Sequence, residues 1–119
     1  MRQLAILGTD RGGPLRVLLH RSAEGTRVFT RASEDDGPCE GEAWFEGVEE
    51  AVAHCSRVHG VAEHDWRVIP DALPECQEDW VSQVRVKGRH LGAPEWGQFE
   101  RFENGEWRDV TSPKNHHAG

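Results

Sequence analysis

The chain has no tyrosine, one methionine and three cysteines, and each scarcity narrows what it can be. Cys39, Cys55 and Cys76 are odd in number and follow no Cys-x-x-Cys or other framework spacing. That argues against a disulfide-stapled domain and points to a reduced, cytoplasmic setting. No apolar run reaches the ~20 residues that cross a bilayer, so no membrane partner is expected. Met1–Leu7 is too short for the apolar region of a signal peptide. Lysine is nearly missing as well, with Lys87 and Lys114 alone among 14 Lys and Arg residues. Codon bias in a GC-rich genome explains that ratio without any arginine-specific recognition. Cations are also outnumbered: 21 Asp and Glu leave a formal charge of −7. A nucleic-acid backbone needs clustered cations, so no nucleic-acid partner is expected, whereas a basic protein partner suits this charge.

The motifs of common chemistry are missing too. There is no Gly-Lys-Ser/Thr after the Gly8, Gly12 and Gly13 region, no Gly-x-Ser-x-Gly, and no His-Glu-x-x-His. Pro74-Glu75-Cys76 has half of a zinc-deaminase signature, but Asp79 stands where the second cysteine belongs and no His-x-Glu precedes it.

What is present centres on residues 44–69, read as strand, helix, turn, strand. Val48, Ala51, Val52, Cys55 and Val58 follow the spacing of one buried helical stripe. Glu49 and Glu50 suit the positive end of the helix dipole, and Arg57 and His59 its negative end. Gly60 then ends the helix, with Val61 packing back on its last turn. The stripe is made of small residues, so the helix is expected to lie close against a sheet, with Trp44, Phe45 and Trp66 supplying bulk at its ends.

Around this helix the chain reads as strands and turns. Leu4–Leu7, Arg16–His20 and Thr26–Arg31 form an antiparallel meander, broken by turn formers at Thr9–Pro14 and Ser22–Gly25. Residues 32–42 read as a loop. Trp66–Ile69 is a further strand, Glu75–Asp79 a polar stretch with room for one helical turn, and Trp80–Lys87 a long strand. Gly88–Gly97 is a loop carrying an exposed Trp96. Asn104-Gly105 between Phe99 and Val110 is the strongest hairpin signal, because both residues tolerate positive φ; Glu100 and Arg108 are expected to pair across it. The expected fold is α+β: a mainly antiparallel sheet, with an N-terminal meander and a C-terminal hairpin, and one central helix packed on it. A single domain is expected over 1–111, with a disordered tail over 112–119.

Two constellations compete as functional sites. The run from Glu34 to Glu50 carries eight carboxylates and no Lys or Arg. Within it Glu34, Asp35, Asp36, Glu40 and Glu42, together with Trp96, form a candidate surface for a basic protein partner. A solvated loop followed by an ordinary acidic first turn is the plainer explanation of the same run. The alternative from another class is a small metal- or thiol-dependent enzyme. Cys55 and His59 share a helix face and His64 follows the turn, so Cys55, His59 and His64 are candidate zinc ligands or a thiol–imidazole pair. Against it stands the reading of Cys55 as a small core residue. No cofactor is otherwise expected. A third reading makes the chain an accessory subunit of a larger bacterial complex.

The block from Trp44-Phe45-x-x-Val48-Glu49-Glu50-Ala51 through Gly60-Val61 to Asp65-Trp66 resembles a core found in small uncharacterised bacterial proteins. In its short, acidic, tryptophan-rich and mixed α and β style the chain is also similar to the immunity proteins of bacterial toxin systems. That resemblance implies a non-enzymatic protein-binding module acting as an immunity or inhibitor protein, and brings no catalytic motif with it.

Overall fold

The computed structural model describes residues 1–8 and 13–110. The turn expected at Thr9–Pro14 falls largely outside these residues, and the tail expected at 112–119 wholly so. The chain forms an α+β fold of antiparallel strands and one helix, divided into two compact units. The first comprises Met1–Asp71 with Glu78–Val81; the second comprises Ala72–Gln77 with the chain from Ser82 onward.

In the first unit, β1 (Arg2–Leu7), β2 (Leu15–Ser22), β3 (Gly25–Arg31) and β4 (Gly41–Phe45) form the meander, and β5 (Arg67–Ile69) pairs antiparallel with β1. The sheet order is β4-β3-β2-β1-β5. Strand alternation sorts the apolar residues onto its two faces. Ala5, Leu7, Val17, Leu19 and Val28 lie on one face, where they bury Ala51 and Cys55 of the helix and Val61 after it. Leu4, Leu18, Phe29 and Ile69 lie on the other, joined by Cys39 and Val81.

The helix, α1, runs over Val48–His54 and continues as a wider π turn over Cys55–His59. Ala51 and Cys55 are buried, as their spacing predicts, and Val48 and Val52 are partly so. Val58 is exposed, against expectation. The i→i+5 turn carries more residues per revolution than an α turn, so Val58 rotates off the stripe that periodicity assigned to it. Gly60, with φ 73°, ends the element, and the Val61 N–H donates to the Cys55 carbonyl.

The second face is covered by a strap of turns and bends, Glu78–Val81, fastened by two buried arginines. Arg2 is 0 % exposed and Arg16 1 %. The Arg2 guanidinium donates to the carbonyls of Pro70, Glu78, Trp80 and Val81. Arg16 donates to Asp36 Oδ1 at 3.0 Å and to the carbonyls of Gly37 and Asp79 at 3.0 and 2.7 Å. Its Nε is buried without a hydrogen-bond partner among the described residues, and desolvation lowers the Arg16 pKa. Burying a guanidinium costs least when its donors are matched, and main-chain carbonyls of an irregular segment, with Asp36, match most of them here, the Arg16 Nε excepted.

This strap shortens the strand expected at Trp80–Lys87. Trp80 and Val81 present their carbonyls to Arg2, and the strand β6 covers only Val84–Val86. No helical turn forms at Glu75–Asp79 either; Glu75 adopts φ 68° and Cys76 bridges to Arg85. In the second unit β6 pairs with β7 (Phe99–Glu103), and β7 with β8 (Glu106–Val110). Asn104 and Gly105 have φ 50° and 80°, the two positive values the hairpin signal requires. The two-residue loop places Arg101, not Glu100, opposite Arg108. Glu100 therefore pairs with Arg85 at 3.1 Å, whose guanidinium lies over the Trp107 ring at 3.7 Å, and Arg108 pairs with Glu106.

Candidate functional site

The acidic run is only partly available to a partner. Asp36 is a structural acceptor: its Oδ1 takes hydrogen bonds from Arg16 and from the backbone N–H groups of Gly37 and Val81. Asp35 accepts from the Ser33 hydroxyl and pairs with Arg31 at 3.0 Å, and these bonds, the Ser33 one first, hold its carboxyl below the usual carboxylate range. Glu40 accepts from the Ala32 N–H at 2.6 Å. The sequence shows no cation within the run, but strand pairing brings Arg16 and Arg31 to it. Glu34, Glu42, Glu46, Glu49 and Glu50 remain exposed and make no ion pair among the described residues.

Cys55, His59 and His64 are not assembled into a site. Cys55 is fully buried, and burial pushes its thiol up to about 11. His59 is half-buried beside His54, with ring centroids 5.7 Å apart. Burial first, and the neighbouring His54 second, lower its pKa. His64 is exposed on the turn after the helix, next to Asp65. Among the described residues no group of three or more His, Cys, Asp or Glu is arranged to hold a metal ion. Cys39, which also titrates near 11, is raised first by desolvation and then by Asp79. A thiol at that value is protonated at neutral pH and is a poor nucleophile.

The tryptophans divide differently from expectation. Trp66 packs against the helix-side cluster. Trp44 does not: register places it opposite Arg27 on the other face of the sheet, and it is 54 % exposed. Trp96 is 73 % exposed, as the loop reading predicts, and Leu91 of the same loop is 77 % exposed.

That loop is built, not slack. The Lys87 N–H donates to Gln98 and the Glu95 N–H returns to Lys87, closing its base. Within it, the N–H groups of Leu91 and Ala93 donate to Gly88, that of Gly92 to Arg89, and that of Gln98 to Glu95. Arg89 also holds Gln77 at 3.1 Å. The two largest apolar side chains of the loop therefore project from a hydrogen-bonded frame.

A second feature, invisible in the sequence, is a cleft of about 270 Å³ in the first unit. His20 and Ser22 of β2, Arg27 of β3 and Trp44 of β4 line it, together with Glu24 of the β2–β3 turn and Glu78 of the strap. Glu78 sits between two bases: its Oε1 accepts from Arg27 at 2.8 Å, and its Oε2 lies 3.3 Å from His20 Nδ1. None of these residues stands out by motif; they meet because His20, Arg27 and Trp44 point to the face that the strap crosses. No protein-family model matches the chain, and comparison with curated proteins and with solved structures likewise yields no match.

Proposed function

We propose that the chain is a non-enzymatic protein-binding module whose anchor is the 87–98 loop. The observation that carries this reading is the pair Leu91 and Trp96, each about three-quarters exposed on a backbone held by its own hydrogen bonds. Exposing a large apolar side chain forgoes about 1.5–3 kcal/mol of burial free energy. A rigid frame lowers the ordering cost of binding, and tryptophan is enriched among residues that dominate interface energies. The remaining exposed carboxylates, Glu34, Glu42, Glu46, Glu49 and Glu50, add a negative field that favours a basic partner and speeds encounter. An immunity or inhibitor role, or service as an accessory subunit, is the form this reading takes in light of the resemblance above.

Site-specific photocrosslinking in the native host tests it. A photoreactive residue at position 96 is compared with one at Val68, another strongly exposed apolar position. The expected outcome is one discrete protein adduct at position 96 and none at position 68. With the partner purified, Trp96→Ala should weaken binding by at least about thirtyfold, the size of a hot-spot truncation. No adduct at position 96, or an affinity unchanged by Trp96→Ala, refutes the reading.

A further inference from the structure

From the cleft in the first unit we infer a second binding site, for a neutral polyhydroxylated ring: one sugar unit of a glycan. The floor is aromatic. The Trp44 indole packs against Gly25, where a Cβ would come 2.5 Å from its Nε1, so the ring is seated by the absence of a side chain there. Trp44 is 54 % exposed. An exposed indole suits the C–H face of a pyranose, which is apolar while its rim is polar.

The rim of the cleft matches the rim of such a ring. Arg27 uses Nη1 on Glu78, and its Nε and Nη2 have no protein partner among the described residues. His20 turns Nδ1 to Glu78, and its Nε2 has no protein partner among the described residues. Glu78 is held by both neighbours and each oxygen keeps a further acceptor site. Glu24 adds an exposed carboxylate. Planar donors and acceptors at fixed positions around an aromatic floor pair well with adjacent hydroxyls, each of which donates and accepts.

Charge disfavours an anion, which would meet Glu24 and Glu78 while Arg27 is already paired with Glu78. Volume agrees: the cleft, at about 270 Å³, has room for one ring. The site lies in a different unit from the 87–98 loop, so it stands or falls independently of the protein-binding reading.

The test uses the full chain and ¹H–¹⁵N spectra of the five tryptophan indoles, with the Trp44 signal assigned from Trp44→Phe. The probes are methyl glycosides of glucose, galactose, mannose and N-acetylglucosamine at millimolar concentration, against inorganic phosphate and tetramethylammonium. The expected result is a saturable shift of the Trp44 signal alone with at least one glycoside. Arg27→Gln should weaken it about tenfold, and Trp44→Phe, which keeps an aromatic floor, should leave glycoside binding detectable in the backbone amides around Gly25. Silence with every glycoside overturns the inference. So does a tighter response to phosphate or tetramethylammonium, which would make the cleft an ion site.

Discussion

Replacing Asp36 tests the account of the buried arginines directly. Arg16 is 1 % exposed, and among the described residues Asp36 is its one ion-pair partner, at 3.0 Å. Removing one partner of a buried ion pair costs about 3–5 kcal/mol, because the remaining charge is left uncompensated. Two carbonyls still hold Arg16, which argues for the lower end. Against that, Asp36→Ala also orphans the N–H groups of Gly37 and Val81, each bond worth about 0.5–1.5 kcal/mol. A net loss of about 4–6 kcal/mol is expected for Asp36→Ala, a large share of the 5–15 kcal/mol typical of a domain. Asp36→Asn keeps an acceptor but not the charge and should lose about half as much. The assay is urea unfolding followed by far-UV circular dichroism. With a slope of about 1–3 kcal/mol per molar, the Asp36→Ala midpoint should fall by more than about 1 M. Adding Arg16→Met to Asp36→Ala should recover part of the loss by removing the orphaned charge. A midpoint within about 0.3 M of wild type, or no difference between the alanine and asparagine variants, would refute the clamp. The outcome also matters for function: a charge reversal at Asp36 reports on folding, so Glu34 and Glu42 are the proper probes of partner steering.

Two further outcomes are expected. Cys55, fully buried and titrating near 11, should resist a thiol-specific reagent in the native protein and react only on unfolding; rapid native labelling at Cys55 would revive a thiol-based chemistry. His59 has a folded-state pKa below its ordinary 6.5, from burial and from His54. The neutral form is the one the fold favours, so this contribution is complete above about pH 6.5 and is lost as the pH falls through the window below it. His59→Asn should flatten the decline in urea midpoint between about pH 7.5 and 5.5, and parallel profiles for variant and wild type would sink the assignment.

Local signals decided the secondary structure wherever the chain itself carries the cause. The small-residue stripe of Ala51 and Cys55 specified the buried helix face, because period and burial are the same information. Asn104-Gly105 specified the hairpin, because positive φ is a property of those two residues. The Gly88–Gly97 stretch likewise declared a loop with an outward Trp96. Tertiary structure decided the rest. Whether Trp44 is core or exposed depends on which face of β4 it takes, and that follows from pairing with Arg27. Asp35 and Asp36 look like free surface charge until β2 and β3 bring Arg31 and Arg16 to them. The loss of Trp80 and Val81 from a strand pattern that fits them follows from Arg2, more than seventy residues away in sequence. Local propensity has no knowledge of such a partner. The cleft of His20, Arg27, Trp44 and Glu78 is the extreme case: four residues from four segments, with no spacing to read, joined only because sheet register and a strap put them on one face.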